Sequence, residues 1–206
     1  MRKLIVMNNV TLDGVMQAPG RPDEDVRGRF AHGGWAMPYN DAVKGQTMGE
    51  GMSQSTDLLF GRRTYEDFFK AWHGRTDNPF TAVLDNSRKY VASRTLTEPL
   101  PWTNSTLLEG DAADAVARLK QEPGLDLLVM GSGVLIASLM QRNLVDRHML
   151  LIHPLVLGTG RCLFTHDGTV AKFRLVKSVP TTTGVIIATY DATYEPADRT
   201  AAESAA

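Results

Sequence analysis

The stretch Leu58-Leu59-Phe60-Gly61-Arg62-Arg63-Thr64-Tyr65-Glu66-Asp67-Phe68-Phe69 constrains this chain most: a short apolar run stops at a glycine and an amphipathic helix starts at once. It reads as strand, tight turn, helix. Leu127-Leu128-Val129-Met130 repeats the step, running into Gly131-Ser132-Gly133 and a helix from Val134 to Gln141. Near the N-terminus, Lys3 to Val10 is a mostly apolar run of the kind buried on both faces, which points to a central place in a largely parallel sheet. The pattern predicts an α/β architecture.

Further elements fall between these. Asp41 to Gln54 reads as a helix with Val43, Thr47, Met48, Gly51 and Met52 inward, and its glycines suggest close approach to a neighbour. In the helix after Gly61, Tyr65, Phe68, Phe69 and Trp72 recur at i, i+3, i+4 and i+7, a core-packing stripe. Lys89 to Ala92 and Ser105 to Leu108 read as strands, and Asp111 as the cap of a helix reaching Gln121. His148 to Ile152 is another strand, with Asp146 expected to cap or brace its start. Phe173 to Val179 and Gly184 to Thr193 form a closing antiparallel hairpin. Residues 17 to 40 make a long Gly- and Pro-rich connection bearing Phe30, Trp35 and Tyr39, which suits a lid over a site, or a loop that Trp35 anchors to the core. One domain over residues 1 to 195 is expected, and a disordered tail over 196 to 206.

Composition excludes several classes. With 22 basic and 23 acidic residues interspersed among 206, no field favours nucleic acid or an anionic membrane. Cys162 is the only cysteine, so neither an intrachain disulfide nor a cysteine-based zinc site is available. His32, His73, His148, His153 and His166 lack paired metal-ligand spacing, and no metal is expected. No apolar run has the ~20 residues of a membrane helix, and no signal peptide is evident. A soluble, cytoplasmic protein is expected.

Gly61 lets backbone approach a ligand, Thr64 is placed to cap the next helix, and the helix N-terminus with Arg62 and Arg63 favours a phosphate. The same turn also serves as a plain strand-to-helix connection, and spacing alone leaves both open. Ser93, Arg94 and Thr95 follow a strand end, where ligands bind in open α/β sheets, and could join the arginines around one phosphate. Gly131-Ser132-Gly133 is a second candidate for a pyrophosphate, although it lacks the third glycine of the Rossmann fingerprint.

Gly61-Arg62-Arg63-Thr64-Tyr65-Glu66 resembles the Gly-Arg-x-Thr-aromatic-Glu segment of the dihydrofolate reductase fold. Val91 to Leu96, Gly131 to Leu135, Leu144-Val145-Asp146 and Pro154 to Phe164 follow in the order seen in the reductase domain of the riboflavin-biosynthesis deaminase-reductase and its stand-alone bacterial relatives. The resemblance implies a three-layer, dihydrofolate-reductase-like fold that binds NADPH along Gly61, Arg62, Arg63 and Thr64, along Ser93, Arg94, Thr95 and Leu96, and along Gly131, Ser132, Gly133, Val134 and Leu135. It puts Asn8, Gly14 and Trp35 on the substrate side, and implies a homodimer. The implied activity is hydride transfer to a small heterocyclic or carbonyl substrate, related to the 5-amino-6-(5-phosphoribosylamino)uracil reductase step of riboflavin synthesis.

Hydride chemistry asks little of side chains beyond orientation and a proton. Asp13, Tyr39 and Asp41 are the candidates to supply that proton. Two departures matter. The helix before Gly61 offers only Asp41 and Glu50 where folate reductases hold the pterin with an acid, and Arg147 replaces a glutamate usual in the family. These favour the alternative, a nucleotide- or small-ligand-binding protein that kept the fold without turnover.

Overall fold

The computed structural model describes residues 1–52, 55–164 and 170–194; the expected tail and His166 lie outside them. Eight strands form one sheet: β1 Leu4–Thr11, β2 Asp57–Gly61, β3 Lys89–Ala92, β4 Ser105–Leu108, β5 Leu127–Met130, β6 Arg147–His153, β7 Phe173–Pro180 and β8 Ile186–Ala192. Their order is β4-β3-β2-β5-β1-β6-β8-β7. β1 to β6 are parallel, and β8 and β7 close the sheet antiparallel. The helices are α1 Ala42–Met52, α2 Arg62–Trp72, α3 Pro79–Asn86, α4 Ala112–Gln121 and α5 Gly133–Gln141.

Strand alternation divides the core into two faces. Leu59, Leu127 and Val129 point to one side, against Val116 and Leu119 of α4 and Ile136 and Leu139 of α5. Leu58, Phe60 and Met130 point to the other, where Tyr65 of α2 and Leu84 of α3 meet them. This is the three-layer, dihydrofolate-reductase-like arrangement expected. Right-handed crossovers that leave β2 and β5 in opposite directions place their helices on opposite faces. α2 is held in register by Tyr65, fully buried, whose hydroxyl accepts from the Trp102 N–H at 3.0 Å.

Asp146 braces the start of β6: its carboxylate accepts from the Leu4 N–H at 2.7 Å and from Lys120 Nζ at 2.6 Å. Arg147 pairs across strands with Asp191 at 2.7 Å, a wholly structural use of that position. α3 was not foreseen, although Asn78 and Pro79 spell a helix start: the Asn78 side chain accepts from the Phe80 N–H and proline takes the first turn.

Residues 17 to 40 are not a structureless lid. They carry two 3-10 turns, and their Ala18, Phe30, Trp35 and Ala36 form a small core with Val15, the Trp35 indole N–H donating to the Gln17 carbonyl at 2.7 Å. Gln17 itself ties Asp25, Arg27 and Arg161 backbones together. In α1, added Cβ atoms at Gly45, Gly49 or Gly51 would meet nothing within 4 Å, so these glycines serve no close packing among the described residues.

Candidate functional site

After β2 the chain turns one way to β3; after β5 it crosses β1 the other way to β6. The reversal opens a crevice beyond the ends of β2 and β5, the position where open α/β sheets hold ligands. Two glycine turns line it. Gly131 (φ +61°) and Ser132 (φ +55°) form a left-handed pair that aims backbone N–H groups at neighbours. The Ser132 N–H donates to Thr64 Oγ1 at 3.0 Å, the Gly61 N–H to Ser132 Oγ at 2.9 Å, and the Gly131 N–H to Asn8 Oδ1 at 3.0 Å. β1, β2 and β5 are thereby locked at one point.

Thr64 therefore does not cap α2, which starts from Gly61 without a side-chain cap; its hydroxyl is used across the crevice. A Cβ at Gly131 would come within 2.9 Å of Thr64 Cγ2, so Thr64 demands that glycine. Gly61 differs. Its φ of −77° suits any residue and an added Cβ would meet nothing nearer than Ser132 Oγ at 3.6 Å. Nothing among the described residues requires glycine there.

Three arginines stand on this rim. Arg62 reaches Glu66 one helical turn away at 3.3 Å, a weak exposed pair. Arg63 and Arg94 are exposed and have no carboxylate partner among the described residues. Ser93 Oγ accepts from the Thr95 and Leu96 N–H groups at 3.1 and 3.0 Å, fixing the turn that presents Arg94.

The crevice belongs to a cavity of about 1770 Å³. That exceeds the ~300–1,000 Å³ of a usual small-molecule site, partly because it continues to the far strand ends near Asp57, Arg88 and Ser105. Its wall includes Asn8, Gly61 to Thr64, Ser93, Arg94 and Gly131 to Leu135, so these expected cofactor and substrate positions come together. Away from the rim the wall continues through Met16, Gln17, Glu24 and Arg27 of the long connection, Lys44 and Met48 of α1, and Met149 and Leu151 of β6.

The other expected positions are placed elsewhere. Asp13 is exposed, and its carboxylate accepts from the Thr11 hydroxyl and from the Leu157 and Gly158 N–H groups, which hold it below the usual carboxylate range. It fastens the 155–160 loop and does not line the cavity. Asp41 caps α1 through the Lys44 N–H at 2.7 Å and takes Thr182 Oγ1 at 2.6 Å; these bonds, the Thr182 hydroxyl foremost, hold its pKa at about 2. Gly14 is a turn residue at φ +80°. Trp35 and Tyr39 each pack edge-to-face with His153, ring centroids 5.1 and 5.4 Å away, outside the cavity wall. Thr95 and Leu96 also lie outside it, Leu96 because it packs into the core beneath α2.

Sequence reading missed two wall residues of chemical interest. Glu24 accepts from the Gly20 and Arg21 N–H groups at 2.6 and 3.1 Å, and burial raises its carboxyl above the usual range. No local pattern marks it. Lys44 stands half-buried in the wall; a lysine in a first helical turn, against the dipole, was a legible signal. Among the described residues no three His, Cys, Asp or Glu side chains could hold a metal, and no helix is long and apolar enough to cross a membrane.

The family model described as the RibD C-terminal domain matches residues 2–187. The uncharacterised protein YyaP of Bacillus subtilis is 28% identical over 197 residues, covering 92% of this chain and 94% of its own. A putative riboflavin biosynthesis protein from Shewanella sp. PV-4 superposes with a TM-score of 0.71 at 23% identity, over 93% of this chain and 99% of that one. Dihydrofolate reductase from Enterococcus faecalis, complexed with NADP(H) and RAB-propyl, gives 0.57 at 14% identity, over 93% and 97%.

Proposed function

We propose, from the premise that this chain belongs to the RibD C-terminal domain family, that it is a reductase of small molecules that uses NADPH. The observation that carries the reading is the pair of glycine turns joined by Thr64 and Ser132, from which α2 and α5 lead away from one crevice. Two helix N-termini offer free N–H groups and positive dipole ends to a pyrophosphate. Arg63 and Arg94 beside them suit the 2′-phosphate that separates NADP from NAD. The glycine at 61, which packing among the described residues does not require, leaves room for a ligand to lie against the backbone. When bound, the nicotinamide supplies the hydride; the chain's own work is to bind, orient and exclude water.

The substrate side is the wall formed by Asn8, Met48, Met149 and Leu151. A pyrimidine-like, pterin-like or carbonyl compound fits such an apolar wall with a few polar groups, and kinship with riboflavin-biosynthesis proteins favours the first. Asp13 and Asp41, held ionised and off the wall, are poor sources of a proton; Glu24, held toward its protonated form in the wall, is a better one. A cytoplasmic homodimer is part of the proposal on the family resemblance alone.

Calorimetric titration with NADPH, NADH and NADP⁺ tests the reading. Tighter binding of the 2′-phosphorylated cofactors, lost in an Arg63→Ala/Arg94→Ala double variant, is expected. Absence of binding by any of the three would overturn it. The second reading, a binding protein without turnover, is favoured by the lack of an acid on α1 facing the cavity; it predicts cofactor binding but no substrate-dependent loss of NADPH absorbance.

A further inference from the structure

Asn8 is an asparagine where the sheet calls for an apolar residue. It is 6% exposed and sits between Val6 and Val10 on the face of β1 that packs into the larger core. A buried amide in such a place needs partners. It finds them in a single residue: Oδ1 accepts from the Gly131 N–H at 3.0 Å, and Nδ2 donates to the Gly131 carbonyl, more loosely, at 3.5 Å.

The reason lies in the strand ladder. β1 and β5 pair as far as Met7 and Met130, and one further step would set Gly131 opposite Asn8. Gly131 turns out of the sheet instead, at φ +61°, and Ser132 follows at φ +55°. On its other side β1 continues regularly against β6, with Asn8 opposite Leu150. The Asn8 side chain thus fills the rung that β5 vacates, and it does so with the donor and acceptor of a peptide group.

Two successive left-handed residues, one of them a serine, persist only where their surroundings over-determine them. Three contacts do this here. Asn8 holds the Gly131 N–H, Thr64 Oγ1 holds the Ser132 N–H at 3.0 Å, and Ser132 Oγ donates to the Met130 carbonyl at 3.3 Å. α5 begins at once from this turn. Ser132 gives it no side-chain cap, and its backbone bonding starts with the Ile136 N–H to the Ser132 carbonyl at 3.0 Å. The N–H groups of Gly133, Val134 and Leu135, three residues of the crevice wall, are therefore left without a partner among the described residues.

We propose that Asn8 is a positioning residue for the cofactor: by standing in for the missing rung it keeps Gly131 and Ser132 turned so that the free N–H groups of α5 meet the pyrophosphate. This rests on the reading above, in which the crevice takes NADPH. Asn8 borders the cavity, but its amide is directed at Gly131, so it acts on the ligand through α5.

The full-length protein and two variants are titrated calorimetrically with NADPH and with adenosine 2′-monophosphate, which carries the 2′-phosphate but no pyrophosphate. Asn8→Leu keeps the size of the side chain and removes both bonds to Gly131. It should weaken NADPH on the order of ten-fold or more and leave the monophosphate within about two-fold, because the monophosphate needs only the arginine rim. Asn8→Ser, too short to reach Gly131, should show the same split and serves if the leucine variant does not fold. Amide hydrogen exchange followed by NMR reads the turn without any ligand. In both variants Gly131 and Ser132 should exchange about ten-fold faster or more, while Leu127 to Met130 keep the wild-type rate.

Equal weakening of both ligands would mean a general loosening of the fold and would overturn the proposal. So would unchanged NADPH affinity, or unchanged exchange at Gly131 and Ser132. Failure of wild type to bind NADPH would instead strike the reductase reading, and the exchange rates would still decide whether Asn8 holds the turn.

Discussion

Acidification from pH 6.5 towards pH 4 is expected to remove much of the stability of this fold, through His148 and His153. Both are buried, 1% and 0% exposed. His148 lies beside Phe164 and Phe173, ring centroids 5.9 and 4.9 Å away, and neither ring nitrogen has a partner among the described residues. His153 Nε2 lies 3.0 Å from Asn9 Oδ1, which as a carbonyl oxygen can only accept, so Nε2 carries the hydrogen. Protonation would create a second N–H at Nδ1, for which no acceptor is present among the described residues. Burial lowers both pKa values from 6.5 to about 4, and the positive charge of Lys44 adds to the effect on His153.

The sign follows from which state takes up the protons. Above pH 6.5 both rings are neutral in folded and unfolded chains and contribute nothing. Below it the unfolded chain is protonated while the native state resists until about pH 4. Each pH step in that window therefore costs about 1.4 kcal/mol per histidine, reaching about 3 kcal/mol each. Two such terms are comparable with the ~5–15 kcal/mol that holds a typical domain together.

Urea unfolding followed by circular dichroism at pH 7, 6 and 5 measures this directly, and the wild-type midpoint should fall steeply below pH 6.5. His148→Leu, which replaces the ring by an apolar side chain among aromatic neighbours, should roughly halve the slope. Equal stability at pH 7 and pH 5, or a slope indifferent to His148→Leu, would refute the claim that the rings stay neutral.

Two further outcomes are expected. Lys89 is wholly buried and donates to the Asp85, Ser87 and Thr103 carbonyls at 3.1, 2.8 and 2.9 Å beneath the Trp102 ring; Lys89→Met should destabilise by about 2–4 kcal/mol in denaturant melts, because three acceptors lose their donor. Gly61→Ala should leave the unfolding midpoint within error, since its added Cβ meets only Ser132 Oγ at 3.6 Å, yet weaken NADPH on the order of ten-fold where a ligand must lie against that backbone; a destabilised variant that still binds NADPH normally would contradict both halves.

Strands, helix stripes and order were legible in the chain because each is written locally. Leu58 to Phe60 and Leu127 to Met130 are apolar at every position, which only a sheet covered on both faces accommodates. Tyr65, Phe68, Phe69 and Trp72 share one helical face whatever that face meets, and Asp111 caps α4 with its own neighbours' N–H groups. The glycine turns were visible for the same reason, and the cavity gathers Gly61 to Thr64 with Gly131 to Leu135.

Side-chain roles were less legible, because they depend on partners far along the chain. Asp13 looked like an acid at a strand end, but Leu157 and Gly158, about 144 residues away, occupy its oxygens. Thr64 looked like a helix cap until Ser132 came within 3.0 Å of it. Asp41 is claimed by Thr182 across a loop that local pattern does not connect to it. By itself, the amino-acid sequence determined which segments become strand and helix, the parallel character of the sheet and the glycine turns, since backbone preference and apolar periodicity act over a few residues. The tertiary structure alone decided which polar groups are satisfied and which, like Lys44 Nζ, have no hydrogen-bond partner among the described residues, because burial and hydrogen bonding are settled only when distant segments meet.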